Sequence, residues 1–205
     1  MRLGVYGGTF DPIHLGHLIL AESCREACGL ERVWFVVAGS PPHKPGGRTD
    51  VQHRLKMVKM AIAGHPAFEV SEIESSGPGP HYSAETLARI RRERPDDDLF
   101  FLIGGDSLAD LPSWRSPETI VRLASLVVAN RPGFEPPAIA VVADALPIHK
   151  VAMPPVGIAS SEIRRLKGEG KSIRYQVPRA VEAYIDAHGL YRSPAPSLAA
   201  SEAPG

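Results

Sequence analysis

An excess of either charge is missing from this chain: 23 Lys and Arg stand against 23 Asp and Glu in 205 residues. Bulk electrostatic attachment to nucleic acid or to a membrane surface is thereby excluded as the organising function, and any phosphate binding must come from local arrangement. Long apolar runs are missing too. No stretch approaches the ~20 residues that span a bilayer, and no basic region leads into a long apolar segment at the N-terminus, so a cytoplasmic protein is expected. Cysteine is scarce: Cys24 and Cys28 are the only two, one helical turn apart, where a disulfide would strain the helix. They read as small reduced residues partly facing the core. No internal repeat divides the chain, and 43% hydrophobic content at this length suits one domain with a substantial core.

What is present is an alternation of short apolar runs and amphipathic stretches. Strands are predicted at Leu3 to Tyr6, Val33 to Ala38, Phe68 to Val70, Leu99 to Ile103 and Leu126 to Ala129, with a weaker one at Val151 to Met153. Helices are predicted at Leu18 to Cys28, His53 to Ala63, Ser83 to Arg94 and Pro117 to Leu123. Val33-Trp34-Phe35-Val36-Val37 and Leu99-Phe100-Phe101-Leu102-Ile103 are apolar without alternation, as strands covered on both faces are, and Trp34 reads as core. The pattern is that of an α/β, Rossmann-like, doubly wound parallel sheet. Two more helices, Ser160 to Lys167 and Pro178 to His188, form a small C-terminal helical lobe from about 157 to 192, with Pro178 at a first helical position. The loops at Ser40 to Asp50, Ser75 to His81 and Arg131 to Pro137 are rich in Pro or Gly, and the small-residue tail 193–205 is expected to be disordered.

The most informative segment follows the first strand: Gly7-Gly8-Thr9-Phe10-Asp11-Pro12-Ile13-His14-Leu15-Gly16-His17. Gly7 and Gly8 are read as a sharp turn that admits a ligand to the backbone, and Pro12 stiffens the approach to a helix. A helix start presents unpaired N–H groups and a partial positive charge, which favours an anion. His14 and His17, three residues apart on the opening turn, lie on one face and present two imidazoles to one phosphoryl group. Zinc suits the spacing less well, because no Glu follows the first His and no third ligand is marked.

Other loops should meet the same crevice beyond the strand ends. Ser40-Pro41-Pro42-His43-Lys44-Pro45 offers Lys44 as a mobile charge and His43 as a donor, though a stiff surface loop with a solvated Lys explains the segment as well. Gly104-Gly105-Asp106-Ser107 ends the fourth strand; Asp106 suits ribose hydroxyls and doubles as a helix cap. Trp114 stands in a polar loop, where a flat ring invites stacking. Tyr82-Ser83 opens a helix with Ser83 as cap, and Ile158-Ala159-Ser160-Ser161 opens another with Arg164 one turn in, a grip for distant phosphates.

Together these segments resemble the nucleotidyltransferases marked by His-x-Gly-His and, within them, the bacterial nicotinate-nucleotide adenylyltransferases. The opening loop, Pro-Pro-His-Lys, Tyr82-Ser83, Ile-Gly-Gly-Asp-Ser-Leu, the Trp114 loop and the closing Gly189-Leu190-Tyr191-Arg192 occur in family order, over nearly all of the chain up to Arg192. The resemblance implies transfer of AMP from ATP to nicotinate mononucleotide, giving deamido-NAD and pyrophosphate, with Mg²⁺ on the ATP phosphates. It implies that His14, His17, Lys44 and Arg164 are catalytic. ATP would meet Gly7, Gly8, Thr9, Phe10, Gly16, Gly104, Asp106, Ile158, Ser160 and Ser161. The mononucleotide would meet Thr9, His43, Lys44, Tyr82, Ser83 and Trp114, the indole stacking on the pyridine. Ala159 replaces the first Ser of the family's second ATP motif and Ser161 its Thr, which implies weaker hydroxyl contacts.

The rivals are a sister transferase acting on nicotinamide mononucleotide and a non-catalytic nucleotide-binding sensor. Phosphopantetheine transferases usually carry Thr where His14 stands. Class I aminoacyl-tRNA synthetases share the signature but are longer and carry a Lys-Met-Ser-Lys-Ser loop. Neither nucleic acid nor membrane is expected as a partner, and a homo-oligomer remains open.

Overall fold

The computed structural model of the chain describes residues 1–39, 49–75, 80–130 and 148–192. His43 and Lys44, the loop at 131–137 and the tail from 193 lie outside the described residues. Six parallel strands form one sheet in the order β3-β2-β1-β4-β5-β6: β1 (Arg2–Gly8), β2 (Arg32–Val37), β3 (Phe68–Ser71), β4 (Asp98–Gly104), β5 (Ser125–Asn130) and β6 (Ile148–Ala152). All six predicted strands are present. The order reverses direction between β1 and β4, and that is where an open α/β sheet leaves a crevice.

Both faces of the sheet are covered, as the unbroken apolar runs require. In β4, Phe100 and Leu102 pack into one core while Leu99, Phe101 and Ile103 pack into the other, the two-residue period of a strand. The first core holds α1 (Leu15–Cys28), α2 (Val51–Ile62), α6 (Ser160–Gly168) and α7 (Arg179–Ala187); the second holds α3 (Ser83–Glu93) and α5 (Pro117–Leu123). Cys24 and Cys28 are free thiols buried in the first core, and burial pushes the Cys24 thiol up to about 12, which keeps it protonated. No helix among the described residues is long and apolar enough to cross a membrane.

Several local expectations need correction. Gly104-Gly105-Asp106 is not a plain loop: α4 (Gly105–Asp110) begins at once, capped by Gly104 rather than Asp106, and a 3₁₀ turn, Leu111–Ser113, follows. Tyr82, not Ser83, caps α3, Ala159 caps α6, and Pro178 caps α7 one position before its first helical residue. Trp34 is only half-buried: its Nε1 donates to Glu69 of the neighbouring β3 (3.0 Å), and Arg94, at the C-terminal end of α3, lies over the ring (5.5 Å).

The largest fully buried side chain is charged. Arg54 of α2 is 2% exposed; its Nε donates to the Thr49 carbonyl (3.0 Å) and its Nη groups to those of Thr9 (2.9 Å), Ala38 (2.7 Å) and Gly39 (3.2 Å). A guanidinium is tolerated in a dry interior when its donors are used, and these tie the exits of β1 and β2 to the start of α2. Nearby, the backbones of two segments touch at Gly39: a Cβ there would collide with the Glu74 carbonyl oxygen. Gly39→Ala should therefore destabilise the fold by about 1–3 kcal/mol in urea titration, as overpacking against backbone does. Gly157→Ala, where a Cβ meets nothing within 4 Å, should stay within about 0.5 kcal/mol.

Candidate active site

The chain leaves β1 at Gly8 and enters α1 at Leu15, and the seven-residue strand carries both predicted turn glycines inside it. Gly7 and Gly8 are thus extended, and the sharp change of direction falls on Phe10, whose φ is 49°. Gly8 is required for a different reason: an added Cβ would lie 2.8 Å from the Phe10 ring, which folds back over it. Phe10 is 2% exposed and meets His17 edge-on at 5.1 Å and Tyr6 at 5.4 Å, so it backs the histidine from within the core.

His14 is the N-cap of α1 and His17 its third residue. The His14 backbone N–H donates to His17 Nδ1 (3.2 Å), and the rings stack with centroids 3.6 Å apart and planes 25° apart. A neutral imidazole that accepts at Nδ1 carries its proton on Nε2. Burial holds both rings neutral: it lowers His14 to about 4 and, with His14 adjacent, puts His17 well below the usual histidine range. His14 Nδ1 is buried and has no hydrogen-bond partner among the described residues. The pair therefore offers oriented neutral groups, not fixed cations, at the positive end of a 14-residue helix.

Both histidines line a cleft of about 270 Å³ between the ends of β1, β4 and β5, small for a ligand site. Of the predicted residues, Gly16, Gly104, Asp106 and Ile158 line it as well. Tyr6, Leu20, Gly105, Ala129, Asn130, Met153 and Val156 complete the wall and were not anticipated. Asn130 had a readable signal, a polar residue ending an apolar strand; its Oδ1 is buried without a partner.

Other predicted residues serve the loop instead of the cleft wall. Ser160 Oγ donates to the Pro12 carbonyl (2.9 Å) and Arg164 Nη1 to that of Asp11 (2.7 Å); Thr9 gives its carbonyl to Arg54, and Ser161 is exposed. Tyr82, Ser83 and Trp114 lie apart from the cleft wall, and the start of α3 is linked to the Trp114 turn through Arg115. Arg115, next to Trp114, lies over the Tyr82 ring at 4.5 Å and pairs with Glu85 of α3 at 3.7 Å. Trp114 is half-buried, edge-on to Phe101 at 6.2 Å.

A sheet in this order, with paired histidines where β1 hands over to α1, defines a nucleotide-binding α/β class. A family model described as cytidylyltransferase-like matches residues 5–166. The chain belongs to that family and, within it, to the nicotinate-nucleotide adenylyltransferases. It is 49% identical to the "probable nicotinate-nucleotide adenylyltransferase" of Thermomicrobium roseum, covering 94% of this chain and 92% of the relative. It is 47% identical to a protein of the same name from Thermus thermophilus, covering 94% of this chain and 100% of the relative. Among solved structures, the nicotinic acid mononucleotide adenylyltransferase of Plasmodium falciparum complexed with NaAD shares the fold. Its TM-score is 0.79 at 20% identity, covering 93% of this chain and 97% of that one.

The buried neutral histidines make stability depend on pH. Unfolded, both take up protons near 6.5; folded, His14 does so only near 4 and His17 well below its usual range. Between those values the unfolded state binds more protons, so stability is full above about pH 6.5 and is lost as the pH falls towards 4. Urea titrations at stepped pH should show that decline, and His14→Gln should make it shallower.

Proposed function

We propose that this enzyme transfers the adenylyl group of ATP to nicotinate mononucleotide, releasing pyrophosphate and forming nicotinate adenine dinucleotide. The observation that carries the reading is the stacked His14–His17 pair at the start of α1, with the His17 proton on Nε2 and both rings lining the cleft. A phosphate oxygen of the mononucleotide attacks the α-phosphorus, a new P–O bond forms, and the bond to the pyrophosphate oxygen breaks. The nucleophile is supplied by the substrate, so the protein's work is in-line placement and stabilisation of charge on the α-phosphoryl oxygens and the departing pyrophosphate. We assign that work to His14 and His17, with Lys44 and Arg164 assisting.

Gly104, Asp106, Asn130 and Ile158 line the part of the cleft we assign to adenosine, where Asp106 accepts from ribose hydroxyls. The cleft is too small for both substrates, which supports a separate acceptor surface at Tyr82, Ser83 and Trp114. Free N–H groups at the start of α3 and the Arg115 guanidinium favour a carboxylate there, which supports nicotinate over nicotinamide as the acceptor's ring. Among the described residues no three His, Cys, Asp or Glu side chains are grouped to hold a metal, so we read Mg²⁺ as arriving with the triphosphate. In the same proposal, residues 1–192 form one nucleotidyltransferase unit that includes the C-terminal lobe, and the enzyme works in the cytoplasm.

A coupled pyrophosphate assay tests the reading. Release should require ATP and nicotinate mononucleotide together and be much slower with nicotinamide mononucleotide; a nucleotide sensor releases none. His17→Ala should lower kcat by about 10²-fold or more with the fold intact, and unchanged turnover removes the assigned role. Trp114→Ala should raise KM for the mononucleotide well above any change for ATP; equal shifts argue against stacking.

A further inference from the structure

The segment from Thr9 to His14 belongs to no strand or helix, yet three of its carbonyls and its one carboxylate are engaged by distant elements. Arg54 holds the Thr9 carbonyl, Arg164 that of Asp11 and Ser160 that of Pro12, while Leu15 N–H donates to the Gln176 carbonyl (2.9 Å). The Asp11 carboxylate is 4% exposed. Its Oδ1 accepts from the Tyr191 hydroxyl at 2.6 Å and its Oδ2 from the Thr49 N–H at 3.4 Å. A hydroxyl on a buried carboxylate is among the stronger hydrogen bonds available.

Two features mark the Tyr191–Asp11 contact as imposed. Tyr191 has a φ of 63° and Phe10, the residue before Asp11, a φ of 49°, a left-handed backbone that side chains other than glycine adopt only where surroundings require it. The C-terminal lobe is also already docked without it. Val181 and Ile185 of α7 are fully buried in the core, and the Tyr184 hydroxyl meets His53 Nδ1 of α2 at 2.9 Å. The Tyr191 hydroxyl reaches the one segment whose placement sets that of His14, three residues after Asp11.

We propose that Tyr191 is a positioning residue for the transfer: through Asp11 it fixes the loop that presents His14, although it lines no part of the cleft. The inference rests on the reading that His14 acts on the transferred phosphoryl group. Removing the hydroxyl leaves Oδ1 of Asp11 dry and without its strongest donor, and the loop moves to recover one. A displacement of about 1 Å at a reacting group costs up to ~10²-fold in rate, and a partial one less. The wall at Gly104, Asp106 and Asn130 belongs to β4, α4 and β5 and keeps its place, so substrate binding is spared.

The test compares Tyr191→Phe with Tyr184→Phe, each losing one hydroxyl from the same lobe. Tyr191→Phe should lower kcat by about tenfold and leave KM for both substrates within about twofold, whereas Tyr184→Phe should cost only thermal stability. Asp11→Asn and the double variant complete a cycle: if Tyr191 acts through Asp11, the double variant loses little more kcat than Asp11→Asn alone. Wild-type kcat in Tyr191→Phe, equal kcat losses in the two Tyr variants, or additive losses in the cycle overturn the proposal. His14→Ala separates the two levels. If it abolishes turnover while Tyr191→Phe does not slow it, the positioning role falls and the assigned reaction stands; if His14→Ala turns over normally, the reading of the site falls and the positioning role with it.

Discussion

The hydrogen bond from the His14 backbone N–H to His17 Nδ1 decides what this site is. It uses one of the amides that a helix start leaves unpaired, so two residues of the sequence become the cap of α1 as well as its chemistry. It also fixes the His17 tautomer, sending the proton to Nε2, and it draws the rings into a stack in which each excludes water from the other. Two imidazoles so close and so dry cannot both carry charge, and burial holds both below their usual range. In the proposed reaction, a triphosphate against them would bring the negative charge that the site lacks, raising both affinities for protons and strengthening an N–H as a donor. The pair is thus poised to respond to the substrate, with little standing charge to neutralise beforehand.

That arrangement needs a loop held from outside, because the segment between β1 and α1 has few neighbours of its own kind. Arg54, Ser160, Arg164 and Tyr191 meet this need from three separate parts of the chain. Two of them, Ser160 and Arg164, belong to a motif expected to grip ATP. Their use on the Pro12 and Asp11 carbonyls gives the motif a part in holding the loop itself. It also gives the Ala159 departure a physical reading. Ala159 caps α6 without a side-chain bond, and the hydroxyl that matters for the loop is that of Ser160, which is retained.

Much of the fold could be read because a strand in a doubly covered sheet must be apolar where it is covered, over most of its length for the inner strands and over shorter pieces beside Glu69, His149 and Lys150 for the edge strands β3 and β6. The six strands and the longer helices follow from that and from helical periodicity. What escaped depends on contacts distant in sequence. Arg54 lies on the buried face of α2 beside Leu55 and Val58, but its charge argues for solvent, and the carbonyls of Thr49, Thr9, Ala38 and Gly39 are what let it be interior. Asp11 and Tyr191 are 180 residues apart, and neither segment contains a hint of the other. Gly104-Gly105 resembles a loop because glycine is a poor helix former, yet α4 starts there because Gly104 has the extended backbone of a cap. The histidines and the cleft residues Gly16, Gly104, Asp106 and Ile158 were legible, since strand ends at the sheet's switch point are where a ligand must sit. Asn130, Tyr6 and the apolar wall from Met153 and Val156 were not, because lining a cleft leaves no periodic trace.

The division of the site into two parts follows from the same geometry. The cleft between β1, β4 and β5 is narrow and partly apolar, fit for one nucleoside with its phosphates against the histidines. Tyr82, Arg115 and Trp114 come from the start of α3 and the turn after α4, on the face of the sheet covered by α3 and α5; Arg115 stacks on Tyr82 and pairs with Glu85, and Trp114 lies edge-on to Phe101. An enzyme that joins two nucleotides gains from this separation. In the proposed arrangement the donor site is the cleft beside the histidines, whose loop is held by long-range bonds, and the acceptor site is the start of α3 with Trp114, built from short local elements. On the proposed reading, selection between one pyridine nucleotide and another is the task of Tyr82, Ser83 and Trp114, while the loop from Thr9 to His17 serves the transfer itself.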